Sequence, residues 1–233
     1  MERLFNIAIG VSLVLILLYG GYVLWDAYMV YSRAGVPDEI MKYKPSPSNP
    51  TLSELQKINP DVCAWLTVGG TKINYPVLQG KNNTEYLNCD IYKNYSLSGS
   101  VFLDYRNNRN FTDLYSLIYG HHMDDGVMFG DLTKFGDETY FDAHRTGQLL
   151  VPGKTYNLEI YAYLHVDAYE SPMFDVDLSE KDYAARLDYI RKSAVYYQDV
   201  GVKSSDRIVA LSTCSSATTN GRSIVVAKLV EYA

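Results

Sequence analysis

The chain has 233 residues, of which 47% are hydrophobic and 21% are charged, and these values are ordinary for a globular protein. The net charge of -6 and the absence of a Lys/Arg-rich patch exclude a nucleic-acid-binding protein that relies on a basic surface. None of the three cysteines stands in a CxxC or His-rich spacing, so no zinc site, redox motif or cofactor is expected.

The first predicted element is a membrane anchor. Residues 7–25 form a run of 19 residues without a charge, and a helix of this length comes close to crossing a hydrocarbon core of roughly 30 Å. Aromatic side chains typical of a membrane interface lie towards its C-terminal end: Tyr19, Tyr22, Trp25 and Tyr28. A cleaved signal peptide is the alternative, but the run is longer than a usual h-region and no small-x-small cleavage site follows. We therefore predict an uncleaved single-span anchor within residues 1–33.

The flanking charges give little information about the orientation of this anchor. Arg3 precedes the apolar run, whereas Arg33, Lys42 and Lys44 follow it. By the positive-inside rule this distribution would keep the C-terminal part in the cytoplasm, but long domains are translocated largely regardless of charge. The orientation therefore has to be inferred from the side of the membrane on which the folded domain acts.

Residues 34–50 contain four prolines and are predicted to form an extended spacer. Residues 51–233 are predicted to form one folded domain. This domain begins with a short amphipathic helix over residues 51–58, where apolar side chains recur at helical spacing.

From residue 59 onward, the sequence is typical of short strands joined by turns. One long helix is predicted over residues 178–198, with Ser179 as its cap and acidic residues in its first turn. Eight runs are predicted as strands: residues 62–68, 73–78, 100–105, 114–119, 148–151, 156–166, 208–213 and 223–230. This order predicts a mainly antiparallel β-barrel, with one long helix before the last two strands.

Three residue types that support nucleophilic catalysis stand at strand ends. Cys214 ends one predicted strand, Arg222 opens the next, and His121 and His122 follow a third. A nearby histidine or arginine helps a thiolate to form. Histidine can exchange a proton with an amine, and the arginine fork can hold a substrate or an oxyanion. Because neighbours on an extended chain point to opposite sides, at most one of the two histidines faces a given site.

Ser212 lies two residues before Cys214, so its hydroxyl shares the face of the cysteine on a strand and is a candidate substrate contact. Together with His121 and Arg222, these residues would form an acyl-transfer site. The alternative is an inert core thiol, an ordinary strand serine and a surface arginine. The spacing alone does not favour either interpretation.

Three segments resemble the signature segments of sortases, the membrane-anchored transpeptidases of Gram-positive bacteria: Tyr119-Gly-His-His-Met123, Leu211-Ser-Thr-Cys214 and Gly221-Arg-Ser-Ile-Val-Val-Ala-Lys228. The resemblance is to class B in residues 65–79, 99–106 and 128–132, and in the long helix before the cysteine strand. It covers the chain from about residue 52 to the end and implies a closed sortase-type β-barrel with short N-terminal helices.

The resemblance also implies roles for individual residues. Cys214 corresponds to the nucleophile, His121 to the general acid and base, and Arg222 to the group that stabilises the oxyanion or positions the substrate. Asn83 falls where class B enzymes place a polar group near the site, which makes it a candidate substrate contact. Ser215 follows the nucleophile, where class B members often have an acidic residue, and substrate contacts on this loop are therefore open.

The implied reaction is cleavage of a C-terminal sorting signal of a secreted protein through a thioester, followed by transfer to a peptidoglycan amine. Because that amine lies outside the cell, the N-terminus is expected in the cytoplasm and the catalytic domain outside it. Two other functions are alternatives to a transpeptidase. A membrane-anchored binding module would explain the anchor but not the joint placement of the three site residues, and a purely hydrolytic cysteine peptidase would use water as its acceptor.

Overall fold

The computed structural model describes residues 1–49, 51–214 and 220–232, without the side chains of Arg33 and Cys214. Its first helix, α1, covers Glu2–Ala34. The part of α1 over Glu2–Ser32 is long and apolar enough to cross a membrane, and its most apolar part is exposed. Near its C-terminal end, Tyr31 Oη donates a hydrogen bond to Asp124 Oδ2 at 3.2 Å.

Four further α-helices and nine strands follow in the described residues. The helices are α2 (Asp38–Met41), α3 (Ser53–Ile58), α4 (Glu138–Ala143) and α5 (Glu180–Ser193). The strands are β1 (Val62–Val68), β2 (Asn74–Leu78), β3 (Phe102–Leu103), β4 (Tyr115–Tyr119), β5 (Thr146–Val151), β6 (Lys154–Asp167), β7 (Tyr196–Tyr197), β8 (Ile208–Cys214) and β9 (Gly221–Glu231). Each of the eight predicted strands overlaps an observed one.

Eight of the strands close into a barrel. Their order is β5-β1-β2-β3-β4-β8-β9-β6, and β6 pairs with β5 to complete the circle. The predicted barrel, its short N-terminal helices and the long helix before the last two strands are therefore confirmed. Two of its pairings, β2 with β3 and β4 with β8, are parallel. The sequence did not indicate these two, because parallel neighbours are joined by long connections rather than by a local turn.

Both faces of β8 are buried, which explains why its sequence is an almost continuous apolar run. Val209 and Leu211 belong to a cluster to which all eight barrel strands contribute, and this cluster fills the barrel interior. Ile208 and Ala210 belong to a second cluster, which includes Tyr183 of α5. The strand that carries Cys214 is thus fixed between the barrel interior and the helix layer.

Helix α5 is shorter than the sequence predicted. Its cap is confirmed, because Ser179 Oγ accepts a hydrogen bond from the Asp182 backbone N–H at 3.3 Å. The helix ends at Ser193, and Tyr196–Tyr197 forms β7, which pairs with β6. The prediction of helix over residues 194–198 was therefore wrong, because pairing of two tyrosines with the edge of β6 overrides the helical pattern.

The described part of the predicted spacer contacts the barrel. Helix α2 lies within it, and the side chain of Ile40 is fully buried with Leu55 and Trp65 in a third apolar cluster. Ala34, at the end of α1, packs with residues of the barrel interior. The division of the chain at residues 33 and 50 stays a prediction.

Burial of Ile40 gives a test of how this segment contributes to stability. Ile40→Ala is expected to lower the free energy of unfolding by about 2–4 kcal/mol, because it leaves a cavity beside Trp65. Denaturation of the full chain in detergent, followed by tryptophan fluorescence, measures the change. Ile58→Ala, at a position 37% exposed, is the control and is expected to cost less than about 1 kcal/mol. Equal losses in the two variants would show that the segment does not pack as described.

Candidate active site

The pairing of three strands brings the predicted catalytic residues to one edge of the barrel. β4 runs parallel to β8 with Tyr119 opposite Ser212, and the Gly120 N–H donates to the Ser212 carbonyl at 3.1 Å. His121 and Cys214 each lie two residues beyond this pair. β8 is antiparallel to β9, and Cys214 is directly opposite Arg222. The backbone positions of His121, Cys214 and Arg222 therefore belong to adjacent strand ends.

A cavity of about 280 Å³ opens at this edge. His121 and Arg222 line it, and so do two of the predicted substrate contacts, Asn83 and Ser212. Ser215 lies outside the described residues. The sequence assigned no individual role to the remaining lining residues: Leu87, Phe102, Tyr119, Gly120, Ala168, Phe174 and Thr213.

A larger cavity, of about 580 Å³, lies where the end of α1 meets the barrel. Its described lining includes Ser32, Tyr75, Tyr92 and Met128, but no histidine or cysteine. Size alone would favour this cavity as the active site. The residue chemistry favours the smaller one, because only that cavity combines a histidine with an arginine beside the end of the cysteine strand.

A backbone carbonyl orients the imidazole of His121. The Nε2 atom lies 2.7 Å from the carbonyl oxygen of Leu87. Since a carbonyl oxygen can only accept a hydrogen bond, Nε2 carries the proton in this contact. In the neutral ring, Nδ1 is then the nitrogen with an available lone pair. The Leu87 carbonyl thus selects both the tautomer and the orientation of the ring.

Gly99 allows the Leu87 carbonyl to occupy this position. Its φ of +58° lies in the left-handed region, and an added Cβ atom would lie 2.3 Å from the Leu87 oxygen. The next residue, Ser100, donates its backbone N–H to the Tyr86 carbonyl at 3.0 Å. A side chain at position 99 would therefore push away the carbonyl that holds His121.

His122 has different surroundings from His121. It forms an isolated backbone bridge with Met128 and does not line the cavity. Its Nδ1 atom is buried and has no hydrogen-bond partner among the described residues. The expectation that only one histidine of the pair faces the site agrees with this arrangement.

The guanidinium of Arg222 is half-buried at the start of β9, and its Nη1 donates to the carbonyl of Gly221 at 3.0 Å. On the adjacent strand, the hydroxyls of Ser212 and Thr213 are buried without a hydrogen-bond partner among the described residues. Buried polar groups normally have a partner. The cavity is therefore lined by a half-buried cation and by two residues whose hydroxyl groups are shielded from solvent and have no partner among the described residues.

The other two cysteines offer no comparable environment. Cys63 is 1% exposed in the barrel interior, and burial raises the pKa of its thiol to about 12, so it stays protonated and inert at neutral pH. Cys89 is half-buried in a connecting segment and does not line the cavity.

Comparison with known proteins identifies the family. The family model described as "Sortase domain" matches residues 66–230. The chain belongs to the sortase family. It is 31% identical to sortase B of Staphylococcus aureus over 241 residues, covering 99% of this chain and 98% of that protein. It is 38% identical to sortase B of Listeria monocytogenes over 184 residues, covering 77% of this chain and 74% of that protein.

Solved sortase structures give the same assignment. The chain resembles a class B sortase of Streptococcus pyogenes involved in pilus biogenesis, with a TM-score of 0.70 and 43% identity over 77% of this chain and 98% of that one. It resembles a sortase B–substrate complex of S. aureus with a TM-score of 0.74 and 33% identity, over 79% of this chain and 86% of that one. The protein is thus a class B sortase, a cysteine transpeptidase that anchors proteins to the cell wall.

The contact between His121 and Leu87 predicts an effect of Gly99 on catalysis by this sortase. Gly99→Ala is expected to lower kcat for cleavage of a sorting-signal peptide by about tenfold or more, because a displaced carbonyl no longer orients the imidazole. Steady-state kinetics measure the rate, and nitrogen NMR of the histidine rings reports the tautomer.

Gly153→Ala is the matched control. Gly153 also has a positive φ, of +76°, but nothing lies within 4 Å of an added Cβ atom. Gly153→Ala is expected to lose about 1 kcal/mol of stability from backbone strain, and Gly99→Ala is expected to lose more because its Cβ atom also meets the Leu87 carbonyl. Only Gly99→Ala is expected to lose activity. Wild-type kcat in Gly99→Ala would contradict the role of the Leu87 carbonyl.

Proposed function

We propose that Cys214 is the nucleophile, His121 the general acid and base, and Arg222 the oxyanion-stabilising or substrate-positioning group of this sortase. One observation carries the proposal. The parallel pairing of β4 with β8 and the antiparallel pairing of β8 with β9 direct one cysteine, one histidine and one arginine to the same barrel edge. The cavity between His121 and Arg222 supports it further.

In the first half-reaction, the Cys214 thiolate attacks the threonine carbonyl carbon of a C-terminal sorting signal. The carbonyl oxygen becomes an oxyanion, and the guanidinium of Arg222 is suited to stabilise it with fixed N–H donors. The carbon–nitrogen bond then breaks, and His121 gives a proton to the departing amine. The products are a thioester on Cys214 and the released C-terminal peptide.

In the second half-reaction, a peptidoglycan amine attacks the thioester carbonyl. His121, with Nε2 held by Leu87, takes the proton from that amine through Nδ1. A new amide bond forms, and Cys214 leaves as the thiolate. Water is the competing acceptor, and holding the acyl group and the amine together favours transfer, since effective molarities reach roughly 10⁵ M or more.

Asn83 and Ser212 are proposed as substrate contacts. Both line the cavity together with His121 and Arg222, and the Ser212 hydroxyl has no partner among the described residues. Ser215 is proposed as a third contact because it follows the nucleophile directly in the sequence. Peptide carbonyl and amide groups are the chemistry that these side chains would bind.

The helix α1 is proposed as a single-span anchor with the N-terminus in the cytoplasm and the catalytic domain, residues 51–233, outside the cell. The length and apolar character of the helix support the span. The location of the peptidoglycan amine supports the side. The anchor would keep the enzyme where its protein substrates leave the membrane.

The nucleophile assignment is tested by Cys214→Ala. This variant is expected to lose cleavage of a sorting-signal peptide completely while keeping its thermal unfolding temperature, because the thiolate is required for the thioester. Cys89→Ala is the control and is expected to keep wild-type turnover. Product analysis with and without an added glycine oligomer distinguishes transfer from hydrolysis. Turnover by Cys214→Ala, or an absence of the amide product with the oligomer present, would contradict the proposal.

The two neighbouring histidines give a second test. His121→Ala is expected to lower kcat by about 10²-fold or more, since proton transfer by a positioned side chain contributes this much. His122→Ala is expected to lose some stability through packing but to stay within about threefold of the wild-type kcat. Turnover measured for both variants at equal folded concentration decides the assignment. The reverse order of effects would move the role to His122.

A further inference from the structure

One buried carboxylate connects several parts of the cavity wall without lining the cavity itself. Asp104 directly follows β3, and its side chain is completely shielded from solvent. Its Oδ1 accepts hydrogen bonds from the backbone N–H and Nε of Arg106, at 3.0 and 2.9 Å. Its Oδ2 accepts from Arg106 Nη2 at 2.9 Å, Asn83 Nδ2 at 2.8 Å and Tyr119 Oη at 3.1 Å.

These contacts keep Asp104 ionised. Burial by itself would raise the pKa of the carboxyl group, but hydrogen bonds from Arg106 and Asn83, with the charge of Arg106, lower it below its usual range. Burial and the Asp104 charge raise the pKa of Tyr119, so the phenol stays protonated and remains a donor. The carboxylate is therefore a permanent acceptor at neutral pH.

Three of the groups held in this way belong to the cavity wall. Asn83 and Tyr119 bond to the carboxylate directly, and both line the cavity. The third connection passes through Arg106, whose Nη2 also donates to the carbonyl of Phe174 at 2.9 Å. Phe174 lines the cavity from the segment that precedes α5. One carboxylate thus fixes residues that come from three distant parts of the sequence.

The contact also fixes which way the Asn83 amide points. Its Nδ2 donates to Asp104, while its Oδ1 accepts from the backbone N–H of Tyr105 at 3.0 Å. A flipped amide would place an N–H against another N–H and an oxygen against the carboxylate. The second N–H of Nδ2 has no partner among the described residues, so Asn83 is held as a hydrogen-bond donor beside the cavity.

We infer that Asp104 is a positioning residue of the substrate groove, which fixes Asn83 as a donor for a peptide carbonyl and sets the spacing of the walls that Tyr119 and Phe174 form. The inference rests on the proposed function, because the bound group is a carbonyl of the sorting-signal peptide. Asp104 acts on the binding of that peptide and not on the thiol chemistry at the end of β8.

Asp104→Asn tests this role, because it keeps the volume but replaces one acceptor oxygen with a donor. The full chain is assayed in detergent with a sorting-signal peptide selected in a cleavage screen. We expect KM to rise by about tenfold or more, with kcat at saturating peptide changed by less than about threefold. The rate at which iodoacetamide alkylates Cys214 is expected to stay at the wild-type value.

Asp131→Asn is the matched control. Asp131 is also buried, at 2% exposure, but it bonds to the Lys72 backbone and pairs with Lys134 instead of lining or bracing this cavity. The Asp131→Asn variant is expected to be less stable than the wild type but to keep the wild-type KM. An equal rise in KM in both variants would show a general loss of structure and would overturn the positioning role.

Arg106→Gln keeps the inference testable if Asp104→Asn does not fold. The Arg106 side chain is 35% exposed, so its replacement leaves less of a packing defect while it removes the bond to Phe174. A rise in KM without a fall in alkylation rate is expected here too. Suppose that the wild-type chain cleaves the peptide and that Asp104→Asn keeps the wild-type KM. Only the positioning role is then overturned. The same holds for Arg106→Gln if it replaces Asp104→Asn in the test. If the wild-type chain cleaves no sorting-signal peptide, the proposed function is overturned together with this inference.

Discussion

β4 and β8 lie side by side and run in the same direction, with Tyr119 opposite Ser212. This pairing aligns the segment that carries His121 with the strand that carries Cys214. It places the segment after β4, with His121, at the same barrel edge as the end of β8, and the β8–β9 pairing adds Arg222. Since each strand is held by backbone hydrogen bonds and by apolar side chains on both faces, the edge is a rigid support for groups that must stay aligned.

The polar groups at this edge are held in place by residues in and behind the cavity wall. The Leu87 carbonyl holds His121, and Gly99 leaves room for that carbonyl. Asp104 holds Asn83, Tyr119 and, through Arg106, the Phe174 backbone. A buried carboxylate is unfavourable without partners, and here five hydrogen bonds compensate for its burial. These contacts restrict the side chains of His121, Asn83 and Tyr119, and they fix the backbone at Phe174.

The sequence predicted the elements with strong local patterns well. The alternating and apolar strands, the cap at Ser179 and the residue types at Cys214, His121 and Arg222 could all be identified from the chain. The parallel pairing of β4 with β8 could not, because no local turn encodes it. The contact between His121 and the Leu87 carbonyl could not be predicted either, because every residue has a backbone carbonyl and the residue type gives no indication of the contact. Asp104 stands in an ordinary predicted strand, residues 100–105, and its role depends on partners that are distant in the sequence.

The central claim is that the barrel edge formed by β4, β8 and β9 carries out acyl transfer on Cys214. Mass spectrometry of the full chain, mixed with a sorting-signal peptide and digested after rapid acid quenching, tests it most directly. We predict that the acyl group of the N-terminal peptide fragment is attached at Cys214. This acyl group should disappear when a glycine oligomer is added and the amide product forms. An acyl group on another residue, or cleavage without any acylated Cys214, would contradict it.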